Sequence, residues 1–380
     1  MSLFVNLLVK NNLSNLRLLA PCRSFHVTQV INLYAPAALG IDGYLLTRKK
    51  AKDQFSSYSD KFRSKMNEFV SDTKNMIFTE DLKNMVHLAE PTDLQLILNM
   101  IKKFNSQNTE FRFGSFVFGP VVMRMFHFLD APKEALECFN DKTNDGFFDQ
   151  LVSFHILLDL LYSHEMYDEM YAVFEKVQQK QINMSKFPKY SVVLILAACY
   201  KQNTPQSLEY ASKLWSDMTN AGTIPVRRAS TYFAALALKQ GAPHIALESI
   251  STQKQHYVTI RNIRAMALAD VGRVSDALPV LKGVLDIDSP SQKDKHTFFE
   301  ETVQRVRQAV EKLNNKDVHK EFSDIEKALK DRGLIENKSL DQLLNSEITM
   351  PNKRQDFNRG ISSFQNKRMP FGLRQNKRLV

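Results

Sequence analysis

Apolar residues recur at three- and four-residue intervals along most of the chain, and this spacing predicts helices. From Phe55 to Phe69 the apolar positions follow one face of a helix. Further helices are predicted over 79–89 and 94–104, and Pro91 breaks the pattern between them. No alternation typical of strands has comparable strength, so the pattern predicts an all-α fold.

Between residues 115 and 285 the helical pattern repeats itself. Five segments carry Ala or Met followed four residues later by a large apolar residue: Ala135 and Phe139, Met170 and Phe174, Ala211 and Trp215, Ala246 and Ile250, Ala277 and Leu281. Both residues of each pair share one helix face, where the small one lets a neighbouring helix approach. Another apolar helix precedes each segment, with turns expected near Asp130, Glu165, Asn203, Gly241 and Gly272. About five helical hairpins are therefore predicted to stack into a right-handed α-solenoid with helical N- and C-terminal extensions.

The remaining patterns divide the chain. A long amphipathic stretch over 294–330, followed by a stop signal at Gly333, predicts helices that cap the solenoid. After Met350 polar and basic residues dominate, and no packed core is expected there. The predicted regions are a mitochondrial transit peptide (1–25), an N-terminal helical region (26–110), the solenoid (111–290), capping helices (291–335) and a disordered basic tail (336–380).

The net charge of +10 is unevenly placed. Residues 1–25 carry three basic side chains and no acidic one, in an amphipathic setting typical of a mitochondrial transit peptide, which predicts the matrix as the location. Residues 351–380 carry eight basic side chains and one acidic one, and residues 183–282 carry twelve and five. Segregated positive charge favours a polyanion such as nucleic acid, although uneven surface charge is the alternative.

A period near 35 residues, with a glycine five residues before the small residue, resembles the pentatricopeptide repeat family. Gly241 and Ala246, and Gly272 and Ala277, have this spacing, and the segment DMTNAGTIPV at 217–226 resembles the end of a family repeat. Tetratricopeptide repeats have nearly the same period, but their Trp-Leu-Gly-Tyr signature is absent. The resemblance implies that the first helices of the hairpins line a concave face that binds single-stranded RNA.

The resemblance also implies that the fourth residue of each first helix reads a base. These residues are Pro120, His155, Val193, Thr231 and Asn262. Thr231 and Asn262 suit base-edge hydrogen bonding and His155 is compatible with it, whereas Pro120 and Val193 depart from the family pattern.

Cations cluster near the starts of the first helices. Phosphate contacts are predicted for Lys189, Arg227, Arg228, Arg261 and Arg264. Ordinary surface arginines are the alternative. Nearby Tyr190, Tyr232 and Tyr257 are interpreted as core residues, and stacking on RNA bases is the alternative. Sequence-independent RNA contacts are predicted for the tail cations Lys353, Arg354, Lys367, Arg368, Lys377 and Arg378.

No catalytic constellation is recognised. His155 and Asp159 are four residues apart and could share a metal, but a structural or RNA-facing role is favoured. No metal, cofactor, small-molecule substrate, membrane insertion or enzymatic activity is predicted. The preferred hypothesis is a protein that binds single-stranded mitochondrial RNA, promotes transcript maturation or stability and presents RNA to a processing enzyme or ribonucleoprotein. The alternative is a protein-binding scaffold in a ribonucleoprotein or respiratory-chain assembly complex.

Overall fold

The computed structural model describes residues 32–107, 116–254, 256–286 and 296–349. The predicted transit peptide and the six tail cations lie outside these ranges. The described residues form the following helices: α1 (Pro36–Leu39), α2 (Ile41–Gln54), α3 (Ser59–Ser71), α4 (Thr79–Leu88), α5 (Leu94–Ser106), α6 (Gly119–Phe128), α7 (Pro132–Asn140), α8 (Leu151–Ser163), α9 (Tyr167–Lys180), α10 (Lys189–Gln202), α11 (Pro205–Asn220), α12 (Arg227–Lys239), α13 (Pro243–Ser249), α14 (Val258–Asp270), α15 (Val274–Lys282), α16 (Glu300–Leu313), α17 (Lys316–Asp331) and α18 (Leu340–Leu344). Two short strands, β1 (Phe298–Phe299) and β2 (Ile335–Glu336), pair in parallel.

The five predicted hairpins are present as α6/α7, α8/α9, α10/α11, α12/α13 and α14/α15. Each turns at the expected residue, and all five turn residues have positive φ: Asp130 at 53°, Glu165 at 59°, Asn203 at 48°, Gly241 at 71° and Gly272 at 82°. A left-handed residue ends a helix by letting the chain reverse direction. The turn signals in the sequence therefore mark the hairpins correctly.

The first helices of the hairpins form one layer, in which α6, α8, α10, α12 and α14 pack side by side in chain order. The small residues of the second helices are completely buried at Ala135, Ala211, Ala246 and Ala277, as expected where helices approach closely. The same arrangement continues at both ends, with α4/α5 packed before α6/α7 and α16/α17 packed after α14/α15. The predicted fold class, an all-α helical-repeat solenoid, is confirmed.

Successive first helices run in the same direction. At their C-terminal ends, the Gln240 Nε2 donates to the backbone oxygen and to Oδ1 of Asn203, both at 2.8 Å. At their N-terminal ends, the Arg227 guanidinium lies 3.9 Å from the centroid of the Tyr257 ring. The starts of these helices therefore share one edge of the layer.

The chain beyond α17 differs from the predicted tail. Gly333, at φ 62°, turns the chain into β2, and α18 follows with Leu344 completely buried. The predicted boundary of the tail at residue 336 is therefore too early, because residues 336–349 are folded against the solenoid. Among the described residues, no helix is both long and apolar enough to cross a membrane.

Candidate nucleic-acid interface

Three of the first helices, α8, α10 and α12, are buried on every side along most of their length. All ten residues of 191–200 in α10 are buried, and so are all ten residues of 229–238 in α12. A helix that is buried all round needs neighbours on each face. The other helices of the layers supply some of them, and two further chain segments supply the rest. These segments are residues 33–39 and residues 339–349, which we call the N-terminal segment and the strap.

The surface of α8, α10 and α12 that these segments cover is called the inner face here, and it carries His155, Asp159, Tyr200, Arg228 and Tyr232. The two segments also meet each other on it. The backbone N–H of Ile348 donates to the oxygen of Leu33 at 2.8 Å, and the N–H of Ala35 donates to the oxygen of Ile348 at 3.1 Å.

Asp159 fixes the N-terminal segment. The carboxylate is completely buried, and its Oδ1 accepts a hydrogen bond from the Tyr34 backbone N–H at 3.0 Å. Its Oδ2 lies 3.2 Å from Nε2 of His127 on α6. Burial raises the pKa of Asp159, although the His127 contact opposes this. His155 is only four residues from Asp159 in the sequence, but the histidine beside the carboxylate is His127.

His155 instead lies among aromatic rings. Its ring stacks on Tyr190 at a centroid distance of 5.3 Å and meets the edge of Tyr34 at 4.3 Å. Only 7% of the residue is exposed, and burial lowers its pKa to about 4. Within the part of the chain that the structure describes, its Nε2 has no hydrogen-bond partner. His155 is therefore a neutral ring packed between the N-terminal segment and α10.

The strap is held by side chains of α10 and α12. Arg228 donates to the oxygens of Leu343, Leu344 and Ser346 at 3.1, 3.4 and 2.9 Å. The Tyr232 hydroxyl also donates to the Leu344 oxygen, at 2.5 Å. Arg228 was predicted to contact phosphate, and in this structure its guanidinium contacts peptide oxygens instead.

One more side chain from each of α10 and α12 binds the strap, through Asp341. The Tyr200 hydroxyl donates to Oδ1 of Asp341 at 2.8 Å, and the Lys239 ammonium lies 3.3 Å from the same oxygen. Sequence reasoning did not identify Tyr200 and Lys239. The available signal was the four-residue spacing of Leu340, Leu344 and Ile348 within a stretch interpreted as tail.

The two best candidates for base reading are enclosed. Thr231 is 1% exposed, and its hydroxyl donates to the Arg228 oxygen one turn earlier at 2.9 Å. Asn262 is completely buried on α14, and its Oδ1 accepts hydrogen bonds from the Phe299 N–H at 2.9 Å and the Thr302 hydroxyl at 2.7 Å. Its Nδ2 donates to the Val258 oxygen at 2.8 Å. Base reading by either residue stays a prediction, and it would require a different conformation of the chain.

Arg261 and Arg264 do not share one surface. Arg261 is 4% exposed, and its guanidinium lies 5.3 Å from the Phe298 ring and donates to the Thr297 oxygen at 3.4 Å. Burial lowers its pKa to about 10. Arg264 is half-buried and lines a shallow cavity with Arg273, the N-cap residue of α15. Residues three apart are rotated by about 60° around a helix, and long side chains diverge further.

Lys189 and Arg227 have the exposure that was expected of phosphate-binding residues. They are the first residues of α10 and α12, and both are exposed. Tyr190 beside Lys189 is 47% exposed, and Arg227 lies over the half-buried ring of Tyr257. These four residues form what we call the basic edge. No acidic residue occurs in the sequence from 176 to 208 or from 218 to 247, so positive charge dominates locally.

Within the described ranges, no group of three or more His, Cys, Asp or Glu side chains is placed to hold a metal ion. The polar groups of the inner face are instead arranged around segments of the chain itself. What the described residues offer an external ligand is therefore a cationic and aromatic edge beside a covered face.

Comparison with known proteins places the chain among mitochondrial repeat proteins. It is 31% identical over 273 residues to the mouse protein "Pentatricopeptide repeat-containing protein 2, mitochondrial", covering 71% of this chain and 70% of the relative. The human protein of the same name is 29% identical over 274 residues, covering 71% of this chain and 69% of the relative. The Xenopus laevis protein is 27% identical over 274 residues, covering 71% and 70%.

No protein-family model matches the chain. The resemblance to pentatricopeptide repeats is nevertheless confirmed by these relatives, which match this chain over more than two thirds of their own length. Their names also agree with the mitochondrial location predicted from the N-terminal sequence. The chain belongs to the family of pentatricopeptide repeat-containing protein 2, mitochondrial.

Proposed function

We propose that this protein is a non-catalytic RNA-binding protein of the mitochondrial matrix that promotes the processing or stability of mitochondrial transcripts. It binds single-stranded RNA and presents the adjacent RNA to a processing enzyme or ribonucleoprotein. The observation that carries the proposal is the basic edge, where exposed Lys189 and Arg227 stand beside aromatic rings in an acid-poor part of the layer. Exposed cations suit phosphates, and the half-exposed Tyr190 ring suits contact with an unpaired base.

The tail adds to the same function. Its eight basic side chains against one acidic one provide a sequence-independent attraction to RNA. The basic edge lies on the folded solenoid, where spacing between cations is fixed, so it provides the more selective contact.

Binding measurements separate the edge from the tail. The six tail cations are first replaced by Gln, and Lys189→Ala and Arg227→Ala are then introduced together. Binding of a single-stranded RNA oligonucleotide is measured by fluorescence anisotropy across a salt series. Losing two phosphate contacts should weaken binding and lower the salt slope by about 1.4, at about 0.7 per contact.

The matched control is Lys133→Ala with Lys213→Ala, which removes the same charge from exposed positions on α7 and α11. This control should change the slope much less. An equal loss of RNA affinity in both double variants would mean that RNA binding depends only on net charge. If the unmodified protein failed to bind RNA, the proposed function would be refuted.

A protein-binding scaffold is the second candidate. The observation in its favour is that Arg228 and Asp159 on the inner face hold polypeptide segments. RNA crosslinking in intact mitochondria separates the two functions, because a scaffold predicts no crosslinks to peptides that contain Lys189 and Arg227.

A further inference from the structure

Building on the RNA-binding function proposed above, we propose that the strap covers a second surface for single-stranded RNA, formed by Tyr200, Arg228, Tyr232 and Lys239. The strap is the internal competitor of RNA for these four side chains. RNA reaches them only when the strap leaves the inner face.

The direction of the hydrogen bonds indicates the chemistry of the competing ligand. Between the strap and α10 or α12, every hydrogen bond of the described residues runs from a helix side chain to a strap oxygen. The surface thus offers two cations and two hydroxyl donors to a row of acceptor oxygens. Phosphate and base-edge oxygens of RNA present such a row.

A polypeptide ligand would also need acceptors for its own N–H groups. The strap finds these elsewhere, since the Leu340 N–H donates to Oε1 of Glu301 and the Ile348 N–H donates to the oxygen of Leu33. Neither acceptor belongs to α10 or α12. The donor-only surface therefore favours an anionic, oxygen-rich ligand over a second peptide.

Aromatic rings lie among these donors. The rings of Tyr200 and Tyr232 are 5.8 Å apart between centroids, and the Lys239 ammonium lies 3.8 Å from the Tyr200 centroid. With the strap in place, Tyr200 is 1% exposed and Tyr232 is completely buried. Removal of the strap would uncover adjacent rings and cations, the combination on which unpaired bases and their phosphates bind.

The strap carries the charge expected of a competitor with RNA. Its sequence from Ser339 to Thr349 contains two acidic residues, Asp341 and Glu347, and no basic one. Burial tends to raise the pKa of Asp341, but the Tyr200 hydroxyl and the Lys239 cation hold it below its usual value. Asp341 is therefore an anion that occupies the place of a phosphate between Tyr200 and Lys239.

The strap is also weakly integrated into the core. In the strap only Leu340 and Leu344 are buried, and most of the remaining residues are exposed. By contrast, Leu33 and Tyr34 of the N-terminal segment are each only 1% exposed. Segments with few buried apolar contacts open locally at low free energy. Opening of the strap can therefore occur while the N-terminal segment stays in place.

The covered surface continues directly from the basic edge. Arg227 of the edge and Arg228 of the covered surface are consecutive residues at the start of α12. An RNA strand held by Lys189 and Arg227 thus has the strap as its neighbour. Binding at the edge would position the strand to replace the strap.

The experiment opens the strap by substitution. In full-length protein with the six tail cations replaced by Gln, Leu340→Ala and Leu344→Ala are introduced together. Leu313→Ala, an equal truncation at a leucine that is 46% exposed, serves as the matched control. Hydrogen exchange of residues 340–348 reports strap opening, and fluorescence anisotropy reports binding of a single-stranded RNA oligonucleotide.

Opening should tighten RNA binding by about ten-fold, the gain expected when the competent fraction rises from roughly one tenth towards one. Leu313→Ala should leave affinity unchanged. Adding Arg228→Gln and Lys239→Gln to the open variant should remove the gain. An open strap without tighter binding, or a gain that survives these substitutions, would overturn the proposal.

A milder variant covers the case in which the double truncation misfolds. Asp341→Asn removes only the strap charge and should tighten RNA binding in the same direction by a smaller factor, whereas unchanged affinity would overturn the proposal. If the unmodified protein with its tail binds no RNA, the proposed function fails as a whole. If it binds RNA and strap opening adds nothing, only the covered site is refuted.

Discussion

Thr231 on α12 and Asn262 on α14 occupy the same position of two successive repeats, yet their surroundings differ. The region around Thr231 is covered by the strap, a short peripheral segment held mainly through Arg228 and Tyr232. The region around Asn262 is closed by β1 and α16, which form part of a hydrophobic cluster with α14, α15 and α17. Thr231 thus lies in a region covered by a peripheral segment, whereas Asn262 lies inside the packed contact of α14 with β1 and α16.

The difference shows that a position in a repeat does not determine its use. The amide oxygen of Asn262 accepts hydrogen bonds from a backbone N–H and a hydroxyl that would otherwise be buried without this acceptor. Around Thr231 the polar contacts instead join α12 to a segment whose other side faces solvent. We therefore expect substitutions around Asn262 to affect the stability of the fold, and substitutions around Thr231 to affect opening of the strap.

Asn262→Ala should have the largest effect on stability. It leaves the Phe299 N–H and the Thr302 hydroxyl buried without their acceptor, so the free energy of unfolding should fall by roughly 3–5 kcal/mol. Chemical denaturation followed by circular dichroism measures this change. Asn220→Ala, at an exposed position of α11, is the control and should shift stability by less than about 0.5 kcal/mol. A small loss at Asn262 would mean that α14 and α16 are not joined through this amide.

Much of the fold could be predicted because its signals are local. The pairs such as Ala246 and Ile250 lie on single helices, and the turns at Asn203 and Gly241 need only a left-handed residue between two apolar runs. These signals gave the five hairpins. The additional hairpin α4/α5 packs into the same layers without the repeat spacing, so its helices were predicted but not its place in the solenoid.

The candidate site was less predictable because its contacts are distant in sequence. Arg228 and Ser346 are 118 residues apart, and Tyr34 and Asp159 are 125 residues apart. The burial and hydrogen bonding of Asn262 depend on residues 297–302, which lie outside the repeat that contains it. Family position predicts what a side chain can bind, but the packing of terminal segments decides whether it is accessible.

The pH dependence of stability tests whether the N-terminal segment is a permanent part of the inner face. The folded-state pKa of His155 is lowered from 6.5 to about 4. Between these values the unfolded chain binds the proton and the folded chain does not, so acidification destabilises the protein. The full effect of this one residue approaches about 3 kcal/mol below pH 4.

Denaturation from pH 7 to pH 4 should show a smaller loss of stability for His155→Phe than for the unmodified chain. Phe keeps an aromatic ring beside Tyr190 and cannot be protonated. His244→Phe, at an exposed position, should leave the slope unchanged. An NMR titration midpoint above pH 6 for His155 would show that its ring is open to solvent and that the N-terminal segment leaves the inner face.

Tyr232→Phe should act on strap opening rather than on the whole fold. The substitution removes the hydroxyl that donates to the Leu344 oxygen, a contact that contributes about 0.5–1.5 kcal/mol. Hydrogen exchange of residues 340–348 should therefore quicken by up to about ten-fold, while the midpoint of global denaturation stays nearly constant. Tyr162→Phe on α8 is the control. Equal loss of global stability and local protection would show that the strap unfolds only with the solenoid.

Arg227→Ala should have the smallest effect on stability and, for that reason, distinguishes the two kinds of surface most sharply. Arg227 is exposed and its guanidinium packs over the Tyr257 ring, a contact that contributes about 0.5–1 kcal/mol at most. Urea denaturation should thus change little, in contrast to Asn262→Ala. If the free energy of unfolding fell by more than about 1.5 kcal/mol, Arg227 would, like Asn262, be needed to hold the fold together. A near-neutral result would leave an exposed cation with little structural role at the start of α12, where an RNA phosphate can bind it without any change in the fold.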